Sequence, residues 1–137
     1  MITKALRLRI ATVSTCCVLL LTGTASAAAA VTFRGTTSQT GPISLTIARG
    51  FVKSLDFKVA DRCSDGGFLV VHVFDFPPIR ITRHSFAFTA TAHPGEPTIV
   101  RGKVFRDRVA GSLRDTTVDV NDGDVCKGSA TFVAIRK

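Results

Sequence analysis

The chain has 137 residues, of which 18 are basic and 10 acidic, and its formal net charge is +8. This length leaves room for one ordinary domain beside a leader and excludes two. Tryptophan and tyrosine are absent, which argues against carbohydrate binding, because sugar-stacking platforms commonly use those side chains. The positive charge favours anionic partners but carries no specific nucleic-acid signal.

Residues 1–27 predict a signal peptide and are the only helix-like part of the chain. An uncharged apolar run over residues 10–21 is followed by small residues that suit a signal peptidase, with cleavage expected between Ala25 and Ala30. The basic head that precedes this run contains Lys4, Arg7 and Arg9. The predicted mature protein is residues 28–137, a single secreted domain with 15 basic and 10 acidic residues and a net charge of +5. The alternative is an uncleaved leader that anchors the chain in a membrane and leaves the domain outside.

Alternation of apolar and polar residues with a period of two dominates the mature chain. Leu55, Phe57 and Val59, for example, alternate with Asp56 and Lys58, as in a strand with one buried face. Clusters of glycine, proline, asparagine and aspartate separate nine expected strands. These are residues 31–37, 43–48, 51–59, 68–74, 79–82, 84–91, 98–105, 109–118 and 129–136. The pattern predicts an all-β fold, a single antiparallel β-sandwich or small barrel.

Two segments lack this alternation. Residues 68–74 and 130–135 are apolar on both faces. Because strands covered on both faces read as nearly continuous apolar runs, both segments are predicted to be central strands.

The cysteines predict one disulfide. Removal of the leader takes away Cys16 and Cys17 and leaves Cys63 and Cys126, which have a single possible intramolecular connectivity in an oxidising compartment. The alternatives are a metal pair and a reactive thiol. A metal site would need further ligands nearby, and neither cysteine has a histidine or another cysteine within a few positions.

No catalytic signature is present, and the chain is predicted not to be an enzyme. His72 shares a strand face with apolar residues and is expected to be packed, whereas His84 and His93 are expected at the surface near strand ends. With nine aspartates and a single glutamate, Glu96, the sequence offers many carboxylate pairs and prefers none. The alternative function is a small extracellular hydrolase that uses His72 or such a pair.

The acidic loop at residues 119–124 is read as a polar turn, because its glycine falls on a ligand position of an EF-hand and no glutamate follows at the required distance. No metal or cofactor is therefore expected. Basic residues cluster on two adjacent expected strands and their hairpin, where they would form a cationic face for an anionic polymer or lipid. The members of this predicted basic face are Arg101, Lys103, Arg106, Arg108 and Arg114.

Several motifs resemble a family of small secreted β proteins of actinobacteria. They are the run Phe33-x-Gly35-x-Thr37-Ser38-x-x-x-Pro42-Ile43, the turn at Cys63, the hairpin of Gly102 and Gly111, and Cys126-x-Gly128 followed by a strand that ends in Ala134-x-Arg136. Where that family often has tryptophan in the last strand, this chain has Phe132. The resemblance implies an extracellular β-sandwich-like module with one cysteine pair and brings no activity with it.

The sequence thus favours a secreted, non-enzymatic binding or interaction module associated with the cell envelope. Beside the hydrolase, a third candidate is a protease inhibitor that presents the proline-constrained loop of residues 93–97.

Overall fold

The computed structural model describes residues 28–74, 76–91, 95–119 and 123–137. The predicted signal peptide, residues 1–27, lies outside the described residues, as does the part of the expected cleavage range up to Ala27. Across the described ranges, no helix is long and apolar enough to cross a bilayer.

The described residues form nine strands, one for each strand expected from the sequence. The largest differences from the predicted bounds are in β3, which continues to Cys63, and in β9, which begins at Val125. The strands are β1 (Val31–Thr37), β2 (Pro42–Ala48), β3 (Phe51–Cys63), β4 (Phe68–Val73), β5 (Ile79–Arg80), β6 (Ser85–Thr91), β7 (Pro97–Val104), β8 (Arg108–Val118) and β9 (Val125–Arg136). The all-β prediction is confirmed.

All pairings among these strands are antiparallel, and they make one sheet in the order β4-β3-β2-β1-β9-β8-β7-β6, with β5 paired to β3. At one end β3 also pairs directly with β9, through Arg62 with Lys127 and Cys63 with Cys126. This pairing closes β3, β2, β1 and β9 into a ring. Of the two architectures expected, the structure is the small closed barrel, with extra strands beyond the ring.

The predicted disulfide forms at this closure. Cys63 and Cys126 are opposite each other in the β3–β9 pairing and are joined by a disulfide.

Just beyond them, the tip of the β1–β2 hairpin fills the space where β3 and β9 diverge. The side chain of Gln39 replaces ladder hydrogen bonds there: its Oε1 accepts from the amide of Ala60 at 2.7 Å, and its Nε2 donates to the carbonyl oxygens of Ala60 and Ser129 at 3.0 and 3.2 Å.

The core follows the alternation read from the sequence. Leu55, Phe57 and Val59 of β3 are buried, while the residues between them are exposed. A bulge opposite Thr46 and Ile47 places one extra residue in β3, so that Val52 also points inward. The other large buried side chains include Ile43, Leu45, Val100, Val109 and Leu113.

The ends of the sheet are joined by aromatic packing. The ring of Phe76, in the segment after β4, stacks on Phe57 of β3 at 6.2 Å between centroids. The same ring meets Phe88 of β6 edge-on at 5.1 Å. Phe76 thus links β3 and β6, which lie near opposite ends of the strand order.

The prediction of a central strand at residues 68–74 is wrong. Within the described residues β4 pairs only with β3 and forms an edge of the sheet. Its outward side chains are exposed, with Phe68 at 71% and Phe74 at 57%. The strand at residues 130–135 is central in its pairing, between β1 and β8, but its outer face is likewise uncovered. Apolar residues on both faces therefore mark exposed apolar strips in this protein.

Gly35 is required where β1 passes β9. A Cβ atom at position 35 would lie 1.9 Å from the carbonyl oxygen of Val133 and 2.7 Å from the Cα of Ala134. Because both neighbours are backbone atoms of a paired strand, β1 could accept a methyl group only by moving away from β9. We therefore expect Gly35→Ala to lower the free energy of unfolding by about 2 kcal/mol or more, measured by urea denaturation.

A matched control lies next along the same strand. Thr36 is exposed, and Thr36→Ala should cost less than about 1 kcal/mol. Equal stabilities for the two variants would contradict the close approach of β1 to β9.

Candidate functional site

The predicted basic residues lie together on the outer side of β7, β8 and their hairpin. Along β7, Arg101 and Lys103 are exposed while Val100 and Gly102 are buried, so the two cations point outward from the same face. On β8, Arg108 and Arg114 are exposed in the same alternation, and Arg106 is exposed in the hairpin. The structure therefore brings the predicted residues to one surface, which we call the basic face: Arg101, Lys103, Arg106, Arg108 and Arg114.

The neighbours of the two β7 cations are small. Arg101 is opposite Ser112 on β8 and Ala87 on β6, and Lys103 is opposite Ala110 on β8. Because these neighbours have short side chains and the cations have long ones, the surface of the sheet forms a depression between the cations.

A groove of about 790 Å³ occupies this low surface. Its floor is made of small side chains and glycine backbone, and its rim carries long side chains. Three of the rim residues are cationic, and they are Arg80, Arg101 and Lys103. Phe105 of the hairpin supplies an apolar part of the rim. The groove thus joins positive charge to an apolar wall, a combination typical of sites that bind organic anions.

Two glycines lie between the groove and the core. Gly102 and Gly111 are opposite each other in the β7–β8 pairing. A Cβ atom at Gly102 would lie 2.4 Å from the ring of Phe86, and one at Gly111 would lie 2.6 Å from the ring of Phe132. The glycines therefore leave room for the two buried rings on the inner side of the sheet.

The charged residues that line the groove are all positive, because none of its lining residues is acidic. The carboxylate of Asp107, in the β7–β8 hairpin, lies 3.6 Å from the guanidinium of Arg108, and both side chains are largely exposed. A surface ion pair of this kind is weak and leaves most of the positive potential in place. Arg108 also stacks over the ring of Phe105 at 4.6 Å from its centroid.

His72 is exposed, contrary to the expectation that it is packed. Its Nε2 lies 2.9 Å from Oδ1 of Asp56 on the outer face of β3 and β4. A pocket of about 440 Å³ lies beside the pair and includes Ser54 in its lining. Within the described residues the imidazole makes its side-chain hydrogen bond to Asp56 and none to the hydroxyl of Ser54, so His72 does not activate Ser54 as a nucleophile in this arrangement.

A pair of buried carboxyl groups, which the sequence did not single out, lies inside the barrel near the disulfide. Asp61 of β3 is 0% exposed and Asp115 of β8 is 3% exposed. The hydroxyls of Thr98 and Thr117 donate hydrogen bonds to Asp115. Gly128 of β9 leaves room for Asp61, since a Cβ atom at position 128 would lie 2.1 Å from its Oδ1.

Asp61 lies close to Asp115. No cation is among its described contacts to neutralise a charge on the pair. No hydroxyl or amide of the described residues donates to either of its oxygens. Burial is the main cause that raises the pKa of Asp61 to about 7, and the neighbouring carboxyl group of Asp115 adds to the shift. Asp61 therefore holds a proton in mildly acidic solution, where an exposed aspartate is ionised.

The remaining predicted features lie at turns. His84 is exposed in the tight turn that joins β5 to β6, while His93 lies outside the described residues. Of the acidic loop at residues 119–124, the described ends form a turn in which the amide of Asp119 donates to the carbonyl oxygen of Asp124 at 2.8 Å. Glu96, at the proposed inhibitor loop, accepts a hydrogen bond from the amide of Val118.

Among the described residues, no three histidine, cysteine, aspartate or glutamate side chains cluster as a metal site would require. No family model matches the chain, and neither a curated protein nor a solved structure matches it.

Proposed function

We propose that the protein is a secreted, non-enzymatic binding module of the cell envelope, and that its basic face binds an anionic ligand. The observation that carries the proposal is the groove, whose rim holds Arg80, Arg101 and Lys103 and whose lining contains no carboxylate. The disulfide and the strand-rich fold are compatible with a protein that works outside the cell.

The arrangement of charge supports binding to an extended or multivalent anion. The cations lie on neighbouring strands, and their side chains are exposed. Among the described residues, the ion pair that this face makes with a carboxylate is the one between Arg108 and Asp107. Several phosphate or carboxylate groups on one ligand could therefore contact the face together, each replacing water and counterions. Such binding is expected to weaken with salt, because exposed charges are screened over about 10 Å at 0.1 M ionic strength.

A small hydrolase is the second candidate, and the exposed His72–Asp56 pair beside a pocket is the observation that favours it. Nucleophilic catalysis requires a hydroxyl or thiol within hydrogen-bonding distance of the base. The hydroxyl of Ser54 does not make that contact, whereas the cations of the basic face need no rearrangement to bind an anion. Binding is therefore the better-supported function.

Charge reversal on β7 tests the proposal. We expect Arg101→Glu with Lys103→Glu to weaken binding of inorganic polyphosphate at least tenfold, because the substitutions replace two attractive charges by two repulsive ones at the groove. The measurement is a titration followed by calorimetry or fluorescence anisotropy at low and at moderate salt.

The matched control is Lys53→Glu with Lys58→Glu. Both lysines are exposed on β3 and neither lines the groove, and this pair of substitutions changes the net charge by the same amount. Equal losses in the two double variants would reduce the effect to net charge alone and contradict a specific basic face. Wild-type protein that fails to bind the polyanion at low salt would contradict the proposal as a whole.

A further inference from the structure

The outer surface beside the groove carries exposed apolar residues as well as cations. Phe105 is 43% exposed, and Val133 and Ile135 of β9 are each 49% exposed. We call these three residues the apolar strip. Val133 and Ile135 alternate with the buried Phe132 and Ala134, so both point outward, on the same side of the sheet as the basic face.

Strand register places the apolar strip among the cations. Ile135 is opposite Arg108 on one side and Arg34 on the other. Val133 is opposite Ala110, which is in turn opposite Lys103. Phe105 lies under the guanidinium of Arg108. Apolar and basic side chains therefore form one mixed surface.

A soluble polyanion would contact the cations of this surface but not its apolar side chains, whereas a lipid surface would contact both. Apolar side chains enter the boundary between headgroups and acyl chains, and lysine and arginine contact anionic headgroups. We propose that the ligand of the basic face is an anionic lipid surface, against which the apolar strip inserts. This inference rests on the proposed function and names the partner of the same site.

A second exposed apolar surface, on the edge strand β4, fits an anionic lipid less well. Its residues Phe68, Val70 and Phe74 are more exposed than the apolar strip. Arg62 lies over the ring of Phe68, but two carboxylates are also close: Asp56 of β3 pairs with His72, and Asp65 lies in the turn before β4. An anionic membrane would repel these groups. Charge complementarity therefore selects the basic face.

The experiment measures binding of the purified protein to two kinds of vesicle and to polyphosphate. We expect binding to vesicles that contain phosphatidylglycerol in phosphatidylcholine, and little binding to phosphatidylcholine alone. Arg101→Glu with Lys103→Glu should weaken binding to the anionic vesicles at least about thirtyfold, because the loss of two cations near such a membrane alone has about that effect and the two glutamates add repulsion.

The apolar strip is tested separately with Val133→Thr and Ile135→Thr, which keep the branched shape and the strand propensity of these side chains. This double variant should bind anionic vesicles about tenfold more weakly than wild type and polyphosphate equally well. The matched control, Phe68→Thr with Val70→Thr, removes two exposed apolar residues of β4 and should leave both affinities unchanged. Thermal melts of each variant establish that the fold is retained.

Three outcomes separate the two proposals. Wild-type binding to polyphosphate without binding to anionic vesicles would overturn the lipid inference and leave the proposed function standing. Loss of vesicle binding in the β4 variant but not in the β9 variant would assign the membrane contact to β4 and overturn the inference. Absence of binding to both ligands would overturn the proposed function itself.

Discussion

Reduction of the disulfide between Cys63 and Cys126 should lower the free energy of unfolding by about 4 kcal/mol. The two cysteines are separated by 63 positions, and a cross-link over a loop of that length removes much conformational entropy from the unfolded chain. The native state also depends on this link, because β3 and β9 close the ring through only two residue pairs, one of which is the cysteine pair. Urea unfolding of the oxidised and the reduced protein measures the difference without any substitution.

A variant keeps this test independent of the reductant. Cys63→Ala with Cys126→Ala should match the reduced wild type, and its stability should not change when the reductant is added. A loss of less than about 1 kcal/mol on reduction would contradict the view that the cross-link holds the β3–β9 closure.

The strands were predictable because their physical cause is local. Alternating side chains and glycine- or aspartate-rich turns place all nine strands, and in β3 the pattern of Leu55, Phe57 and Val59 also identifies the buried face. What is not local is the pairing. Residues 68–74 have the composition of a covered strand, but only the partners of a strand decide whether it is central, and β4 has a partner on one side alone among the described strands.

The candidate site was also predictable from the sequence only in its local part. Arg101 and Lys103 are two positions apart on one strand, so the sequence alone predicts that they share a face. Arg80 was missed, because β5 has two residues and its side chain reaches the groove only through the pairing of β5 with β3. The apolar strip likewise depends on the register of β9 against β8, which no local pattern contains.

The buried carboxyl pair was also missed, although a signal for it exists. The inward alternation of β3 continues from Val59 to Asp61, and that of β8 continues from Leu113 to Asp115. Aspartate is rarely buried, so each residue taken alone indicates the end of a buried stretch. Only the packing of β3 against β8, with Gly128 of β9 leaving space between them, brings the two carboxyl groups together.

This pair should make the protein less stable as the pH rises toward and above neutrality. The pKa of Asp61 is raised to about 7, and its ordinary value is 3.8, so the folded protein holds a proton that the unfolded chain has released between these limits. The stabilisation is fully present below the unfolded value and is lost as the pH rises through the folded value. We expect the free energy of unfolding to fall by on the order of 3 kcal/mol from about pH 4 to about pH 8.

Asp61→Asn tests the cause, because the amide can donate a hydrogen bond to Asp115 at every pH and carries no charge. At about pH 8 this variant should be more stable than wild type by about 2 kcal/mol, and its stability should vary less between about pH 4 and about pH 8, measured by urea denaturation across the pH range. The matched control is Asp107→Asn, which alters an exposed carboxylate whose ion-pair partner, Arg108, stays charged throughout this pH range, and which should retain the wild-type pH profile. A wild-type profile without this decline, or an Asp61→Asn variant less stable than wild type at about pH 8, would contradict a raised pKa of Asp61 as the cause.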